Sequence, residues 1–156
     1  MALIVALGSN LGDKLANLLL AKKMLCHQFT FVGESKIYCS AAVDHEDQPD
    51  FYNQVLEFLS PSDSPEELMA LILTIEEKLG RVRDPLRPRG PRIIDIDIVF
   101  FDLQKIETPF ITLPHPRWHE RSFVVKPLEE LPFAEVLRHQ GLLPVGKLSN
   151  QAFPIK

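Results

Sequence analysis

The chain has 156 residues, 46% of them hydrophobic and 24% charged, with a net charge of −4; it is long enough to bury one core unaided and too acidic for a broad nucleic-acid-binding face. No apolar run is long enough to cross a bilayer, and the opening MALIVALG, with no basic leader, reads as a first core strand and not as a secretory signal. Cys26 and Cys39 match no metal or redox spacing, so they read as small buried hydrophobes of a reducing compartment, which points to the cytoplasm.

The first strand is expected over residues 2–8, followed by a helix from Asp13 to His27 with Leu15, Leu18 and Leu25 on its inner side. The joining turn GSNLGD lacks the Lys and Ser or Thr of a GxxxxGK[ST] phosphate loop, and its role is structural. Residues 29–40 and 51–60 have the β-branched and aromatic content of strands, and the polar loop between them, AAVDHEDQPD, is a candidate binding segment. A second helix is marked by Ser64 as cap, Pro65 in the first turn, Glu67 completing a capping box and Gly80 at its end. Leu68, Leu71, Ile72, Ile75 and Leu79 form its apolar stripe; Glu77 lies opposite, while Glu76 sits at the edge, within reach of the packed surface. An Arg/Pro/Gly loop over 81–92 comes next, then the strand GPRIIDIDIVFF, an extended piece ending at TLPHP and a last helix near 122–131. The tail from Leu142 onward is weakly patterned.

The strand poses a chemical question. Alternation puts Asp95, Asp97, Val99 and Phe101 on one face and Ile94, Ile96, Ile98 and Phe100 on the other. Two carboxylates about 7 Å apart repel by on the order of 2 kcal/mol at an effective dielectric of about 20, so stability alone does not account for them. Taken by itself such a pair is more often a solvated edge-strand face than a metal site. The neighbouring segment RVRDPLRPRGPR adds five arginines against one aspartate, so +4 is concentrated in 81–92 and the remaining residues carry −8. Stiffened by Pro85, Pro88 and Pro91, that loop reads as a clamp for a compact anion, and carboxylates completed by phosphate and water are the usual Mg²⁺ arrangement. His115 by itself reads as structural, as do His27, His45, His119 and His139.

Taken in order, GSNLGD, DQPDFYN, GRVR, GPRIIDIDIVFF and LPHPRWHERSFVVKPL, from Leu3 to about Leu131, resemble the 6-hydroxymethyl-7,8-dihydropterin pyrophosphokinases of folate biosynthesis. The resemblance implies one ferredoxin-like α+β domain over 1–156, an antiparallel sheet covered by helices. It implies transfer of the β,γ-pyrophosphoryl group of ATP to the hydroxymethyl group of a reduced pterin, with release of AMP. By similarity Asp95 and Asp97 hold two Mg²⁺ ions, and Arg81, Arg92 and His115 are catalytic. Arg92, His115 and Arg121 contact phosphate, while Arg81 and Arg83 close a mobile loop over ATP. Glu76 and Thr112 help hold the nucleotide, and Ile98 offers backbone to the adenine. The pterin is clamped between Phe51 and Phe123, with Asn53 on its amide edge and Ser40 and Val43 alongside. ATP and the pterin are then the only partners, with no nucleic acid and no membrane, and the protein is expected to be a monomer.

Three departures from the family pattern stand out. Ser40, Ala41 and Ala42 occupy a wall that commonly carries threonine and proline, Arg89 replaces an aromatic before GPR, and the loop is one residue longer than in some relatives. They predict retained chemistry with altered closure and pterin affinity. Two rival readings remain at this level: a nucleotidyltransferase that also uses a DxD metal pair, and a pterin- or nucleotide-binding relative with weak or altered turnover.

Overall fold

The apolar opening forms β1 (Ala2–Ser9), buried on both faces as its unbroken hydrophobic run requires. The structure is a computed structural model that describes residues 1–42, 47–83, 85–86, 90–144, 146, 148 and 151–155. Helix α1 (Lys14–Gln28) begins where the Asp13 carboxylate accepts the Ala16 N–H at 3.1 Å, after a turn in which Gly12 takes φ +74°. Its buried stripe is Leu18, Ala21 and Leu25. Leu15, expected inside, is 48% exposed, so the packed face starts one turn later.

The segment expected as one strand over 29–40 is two, β2 (Phe31–Glu34) and β3 (Tyr38–Ser40). Ser35 makes the break: its hydroxyl accepts the Val55 N–H at 3.0 Å, substituting a side chain for the backbone in the ladder. Strand β4 (Phe51–Leu59) and helix α2 (Pro65–Lys78) follow. The capping box is complete, with Glu67 N–H donating to Ser64 Oγ at 3.1 Å and Ser64 N–H donating to Glu67 Oε1 at 2.9 Å. Gly80, at φ +95°, ends the helix as expected.

After the arginine loop come β5 (Asp95–Phe101) and a two-residue pair, β6 (Ile106–Glu107) and β7 (Thr112–Leu113). The expected last helix is shorter and is followed by another: α3 (Ser122–Leu128) and α4 (Phe133–His139). The first carries Pro127 in its last turn and ends where the Glu129 N–H donates to the Val125 carbonyl, and the carboxylate of Glu57 accepts the Phe133 N–H at 2.9 Å where the second begins. The weakly patterned tail contributes β8 (Ala152–Pro154), an edge strand paired with β3.

The main sheet runs β5-β1-β4-β3-β8, with β2 also on β4, and every pairing is antiparallel. With α1 and α2 as the two crossovers this is the expected ferredoxin-like α+β arrangement. Leu3, Val5 and Leu7 pack under α1 and α2, whereas Ala2 and Ile4 face a second core closed by Trp118, α3 and α4.

One register detail overturns a face assignment. In the β1–β5 pairing Ile4 opposes Phe100 but Val5 opposes Ile98, so Val99 is an extra residue, a β-bulge. Beyond it the alternation is shifted: Phe100 joins Val99 in the second core, and Phe101 joins Ile94, Ile96 and Ile98 in the first. Cys26 is exposed and Cys39 partly so, both as free thiols, so neither is the buried hydrophobe its sequence context suggested.

Candidate active site

The sheet end at Gly8, Phe51 and Asp95 opens into one cavity. Its floor is small by composition: in β1, Ala6 stands opposite Asp97 and Gly8 stands opposite both Asp95 and Asn53. A Cβ at Gly8 would touch Asn53 Oδ1 and Phe51 Cδ1 at 3.4 Å, so that aromatic and amide wall lies within van der Waals reach of the β1 backbone. Ser40 accepts a 2.8 Å bond from Asn53 Nδ2, which turns the amide so that its oxygen is the acceptor left for other partners. Ala41 and Ala42 continue this wall, and Phe123 on α3 lines the same cavity as Phe51.

The other side is charged. Asp95, Asp97, Arg92, His115 and Arg121 all line the cavity. Burial first, and the Asp95 charge second, raise the Asp97 carboxyl far above the usual carboxylate range, against the pull of Arg121. The bulge at Val99 positions His115, whose backbone N–H donates to the Val99 carbonyl at 2.9 Å. The ring Nδ1 accepts the Arg117 N–H at 3.2 Å, and burial together with Arg121 lowers the imidazole to about 4. His115 is therefore neutral at pH 7, with its proton on Nε2 available for donation. Arg92 has its guanidinium 4.9 Å from the Phe51 ring centre and its Nε 3.5 Å from Asp95 Oδ2; Arg121 lies 5.6 Å from the Phe123 ring centre.

Glu76, Arg81 and Arg83 do not line the cavity but reach it through one link. Glu76 is 2% exposed; its Oε2 accepts the Ile96 N–H at 2.8 Å and Arg81 Nη1 at 2.7 Å, and its Oε1 accepts Arg83 Nη2 at 2.7 Å. Burial pushes its carboxyl upward against those stabilising donors. Arg81 Nη1 also donates to Asp95 Oδ1 at 2.9 Å, so one guanidinium joins the helix carboxylate to the strand carboxylate. Ile98 is buried under the helices, and Thr112 in β7 stands apart from the cavity lining. Val43 and Arg89 lie outside the described residues. Trp118 also lines the cavity, as does Gln48 from the loop expected to be a binding segment; Gly8 and Ala6 line it without having been singled out in the sequence. For Gly8 and Ala6 the available signal was smallness at the start of GSNLGD and two residues before it.

Comparison with known proteins now decides the family. A family model described as 7,8-dihydro-6-hydroxymethylpterin-pyrophosphokinase (HPPK) matches residues 4–132. The chain belongs to the HPPK family. It is 42% identical over 130 residues to the Bacillus subtilis 2-amino-4-hydroxy-6-hydroxymethyldihydropteridine pyrophosphokinase, covering 81% of this chain and 75% of that protein. It is 40% identical over 131 residues to the folic acid synthesis protein fol1 of Pneumocystis carinii, covering 83% of this chain but 17% of that much longer protein. Among solved structures, the wild-type Plasmodium falciparum HPPK-DHPS crystallised with pteroate matches with a TM-score of 0.63 at 14% identity, over 83% of this chain and 38% of that one. At that identity the HPPK match speaks for the fold, and it agrees with the ferredoxin-like arrangement described above.

Proposed function

We propose that this chain transfers the β,γ-pyrophosphoryl group of ATP to 6-hydroxymethyl-7,8-dihydropterin. The hydroxymethyl oxygen bonds to the β-phosphorus and releases its proton to solvent, the bond between the β-phosphorus and the oxygen that bridges it to the α-phosphorus breaks, and AMP leaves with that bridging oxygen. The observation that carries this reading is the two-sided cavity, with Phe51, Phe123 and Asn53 facing Asp95, Asp97, Arg92, His115 and Arg121 in a member of the HPPK family.

A flat heterocycle stacks between the two phenylalanine rings, and Asn53 Oδ1, oriented by Ser40, accepts from its amide edge. His115 donates from Nε2 to a phosphate oxygen while remaining neutral, and Arg92 and Arg121 add charge-assisted donors. Arg81 and Arg83 close over the nucleotide and exclude water; Glu76, already bonded to both, anchors them.

The residues present fit a hard cation. Asp95 and Asp97 are oxygen donors in the cavity that Arg92, His115 and Arg121 also line, and burial together with the Asp95 charge holds the Asp97 carboxyl in its protonated form, which a bound cation would reverse. Asp95 and Asp97 would hold two Mg²⁺ ions, with substrate phosphate and water as the other ligands, and the ions would supply charge to offset the triphosphate and polarise the phosphorus under attack. We read the protein as a cytoplasmic monomer with these two small-molecule substrates and no nucleic-acid partner; among the described residues no helix is long and apolar enough to cross a membrane.

The deciding experiment incubates the protein with ATP, Mg²⁺ and 6-hydroxymethyl-7,8-dihydropterin and separates the products. AMP and a pyrophosphorylated pterin in equal amounts support the reading. Pyrophosphate and an adenylylated pterin would make it a nucleotidyltransferase, and no product at all would make it a binding protein.

A further inference from the structure

Strand β8 lies past residue 132, where the family match ends, yet it pairs with the strand that carries Ser40. Its register sets Ala152 opposite Ser40, Phe153 opposite Cys39 and Pro154 opposite Tyr38. The Ile155 N–H donates to the Ile37 carbonyl at 2.9 Å, so Ile37–Ile155 and Cys39–Phe153 are the hydrogen-bonded pairs of this antiparallel ladder. Pro154, which has no N–H to give, falls between them, and Ala152 shares its phase, so the Ala152 carbonyl turns away from β3. Helix α3 takes that carbonyl: Lys126 Nζ donates to it at 2.9 Å and lies 5.3 Å from the Phe153 ring centre.

Lys126 stands one helical turn after Phe123, so the side chain that grips β8 and the ring that lines the cavity share a face of α3. The far end of β3 is tied to the same helix directly: Glu130, just past α3, accepts the Lys36 N–H at 3.0 Å and the Tyr38 hydroxyl. At the cavity end the tie runs through β8 and Lys126. Ser40 there sets the Asn53 amide through its 2.8 Å bond, and the wall continues as Ala41 and Ala42, which have no ring to fix the backbone. The gap between Phe123 and this amide wall therefore depends on the Lys126 ammonium.

We infer that Lys126 is a positioning residue for the pterin: by pinning β8 to α3 it holds the Ser40–Asn53 wall at stacking distance from Phe123, without itself lining the cavity. This rests on the pyrophosphokinase reading given above. Asp95 and Asp97 stand on β5 and His115 is anchored to it, and β5 and β8 are opposite edges of the sheet, so the effect of the pin falls on the pterin and not on the nucleotide.

The test titrates the fluorescence of 6-hydroxymethylpterin at saturating Mg²⁺ and α,β-methylene-ATP in the parent protein, Lys126→Met and Lys126→Arg. Methionine keeps an apolar stem and removes the donor, whereas arginine restores both a donor and a cation beside the ring. Lys126→Met is expected to weaken pterin binding about fivefold or more, the scale of a charge-assisted hydrogen bond, while the dissociation constant of α,β-methylene-ATP, measured by calorimetry without pterin, stays within about twofold. Lys126→Arg should return pterin affinity to within about twofold of the parent. A merely structural brace would lower both affinities together, or lower thermal stability and neither affinity, and each of these results overturns the inference. If Lys126→Met does not fold, Phe153→Ser carries the test, because that ring is 60% exposed and its loss leaves both cores filled. It should weaken pterin binding about threefold, and the parent's affinity in that variant overturns the inference as well. Product formation by the parent is read separately: no AMP sinks the transfer reaction and the inference resting on it, whereas AMP together with unchanged pterin affinity in Lys126→Met sinks the positioning role alone.

Discussion

Replacing Asp97 with asparagine in the metal-free protein is expected to stabilise the fold, and to do so more as pH rises. The Asp97 carboxyl is raised to about 8 by burial and by Asp95, so between about pH 4 and 8 the folded protein keeps a proton that the unfolded chain has released. Stability from this group is therefore fully present below the unfolded value and is lost as pH rises through the folded one. The Asp95 repulsion at i,i+2 spacing is on the order of 2 kcal/mol, burial adds to it, and the linkage ceiling is about 1.4 kcal/mol per pH unit. The Asp97→Asn protein should thus match the parent near pH 5 and exceed it by about 2 kcal/mol at pH 8. His115, lowered to about 4 from 6.5, runs the other way, losing stability as pH falls through that range, but it is present in both proteins and cancels in the difference. Urea unfolding of both proteins with a chelator at pH 5, 6, 7 and 8 measures it. Parallel profiles, or a parent that is more stable at pH 8, would refute the account of the carboxylate pair. Turnover in Asp97→Asn at the parent's rate would sink the metal assignment separately.

Arg81→Ala should slow single turnover by about tenfold or more while leaving ATP affinity within about threefold, because its partner Glu76 keeps the Arg83 contact; equal losses in both would remove the closing role of Arg81. The His115 imidazole, followed by its ring resonances, should titrate well below 6.5, and a midpoint at 6.5 would mean the ring is solvated and the donor assignment wrong. Ser40→Ala should weaken pterin binding by about fivefold, the scale of one buried hydrogen bond, without changing nucleotide binding, since Ser40 Oγ sets the Asn53 amide; an equal effect on both ligands would mean the wall has collapsed. Phe123→Ala should cost at least a stacking contact of roughly 0.5–1.5 kcal/mol in pterin affinity, read by the same fluorescence titration, and an unchanged constant would place the ring outside the clamp.

What the sequence revealed was what its own neighbours encode. The capping box of α2 involves Ser64 and Glu67, three residues apart, and it is present as expected. The carboxylate strand, the arginines and the family motifs likewise carry their meaning in short spacings, and the cavity brings Ser40, Phe51, Asn53, Arg92, Asp95, Asp97, His115, Arg121 and Phe123 together. What escaped depends on partners far along the chain. The run IDIDIVFF reads as a regular alternation until its pairing with Ile4 and Val5 shows the extra residue. The tail reads as unpatterned because β8 is three residues long and is specified by the open edge of β3. Glu76 was placed near the nucleotide, but its bridge through Arg81 to Asp95 spans helix, loop and strand and leaves no local signature.

The bulge at Val99 also divides the chain into stretches that tolerate length change and stretches that do not. The described residues of 81–92 lie outside the sheet ladder, so an added residue in that segment is expected to carry an entropic cost that grows slowly with length. Deleting Val99 would instead restore strict alternation with Ile98 and Phe101 still in the first core and Phe100 still in the second, so the sheet itself does not require the extra residue; what the deletion removes is the Val99 carbonyl that accepts the His115 N–H. A lineage carrying this site can therefore change the length of its arginine loop more readily than the stretch from Asp97 to Phe100, where one residue fewer costs His115 its backbone anchor.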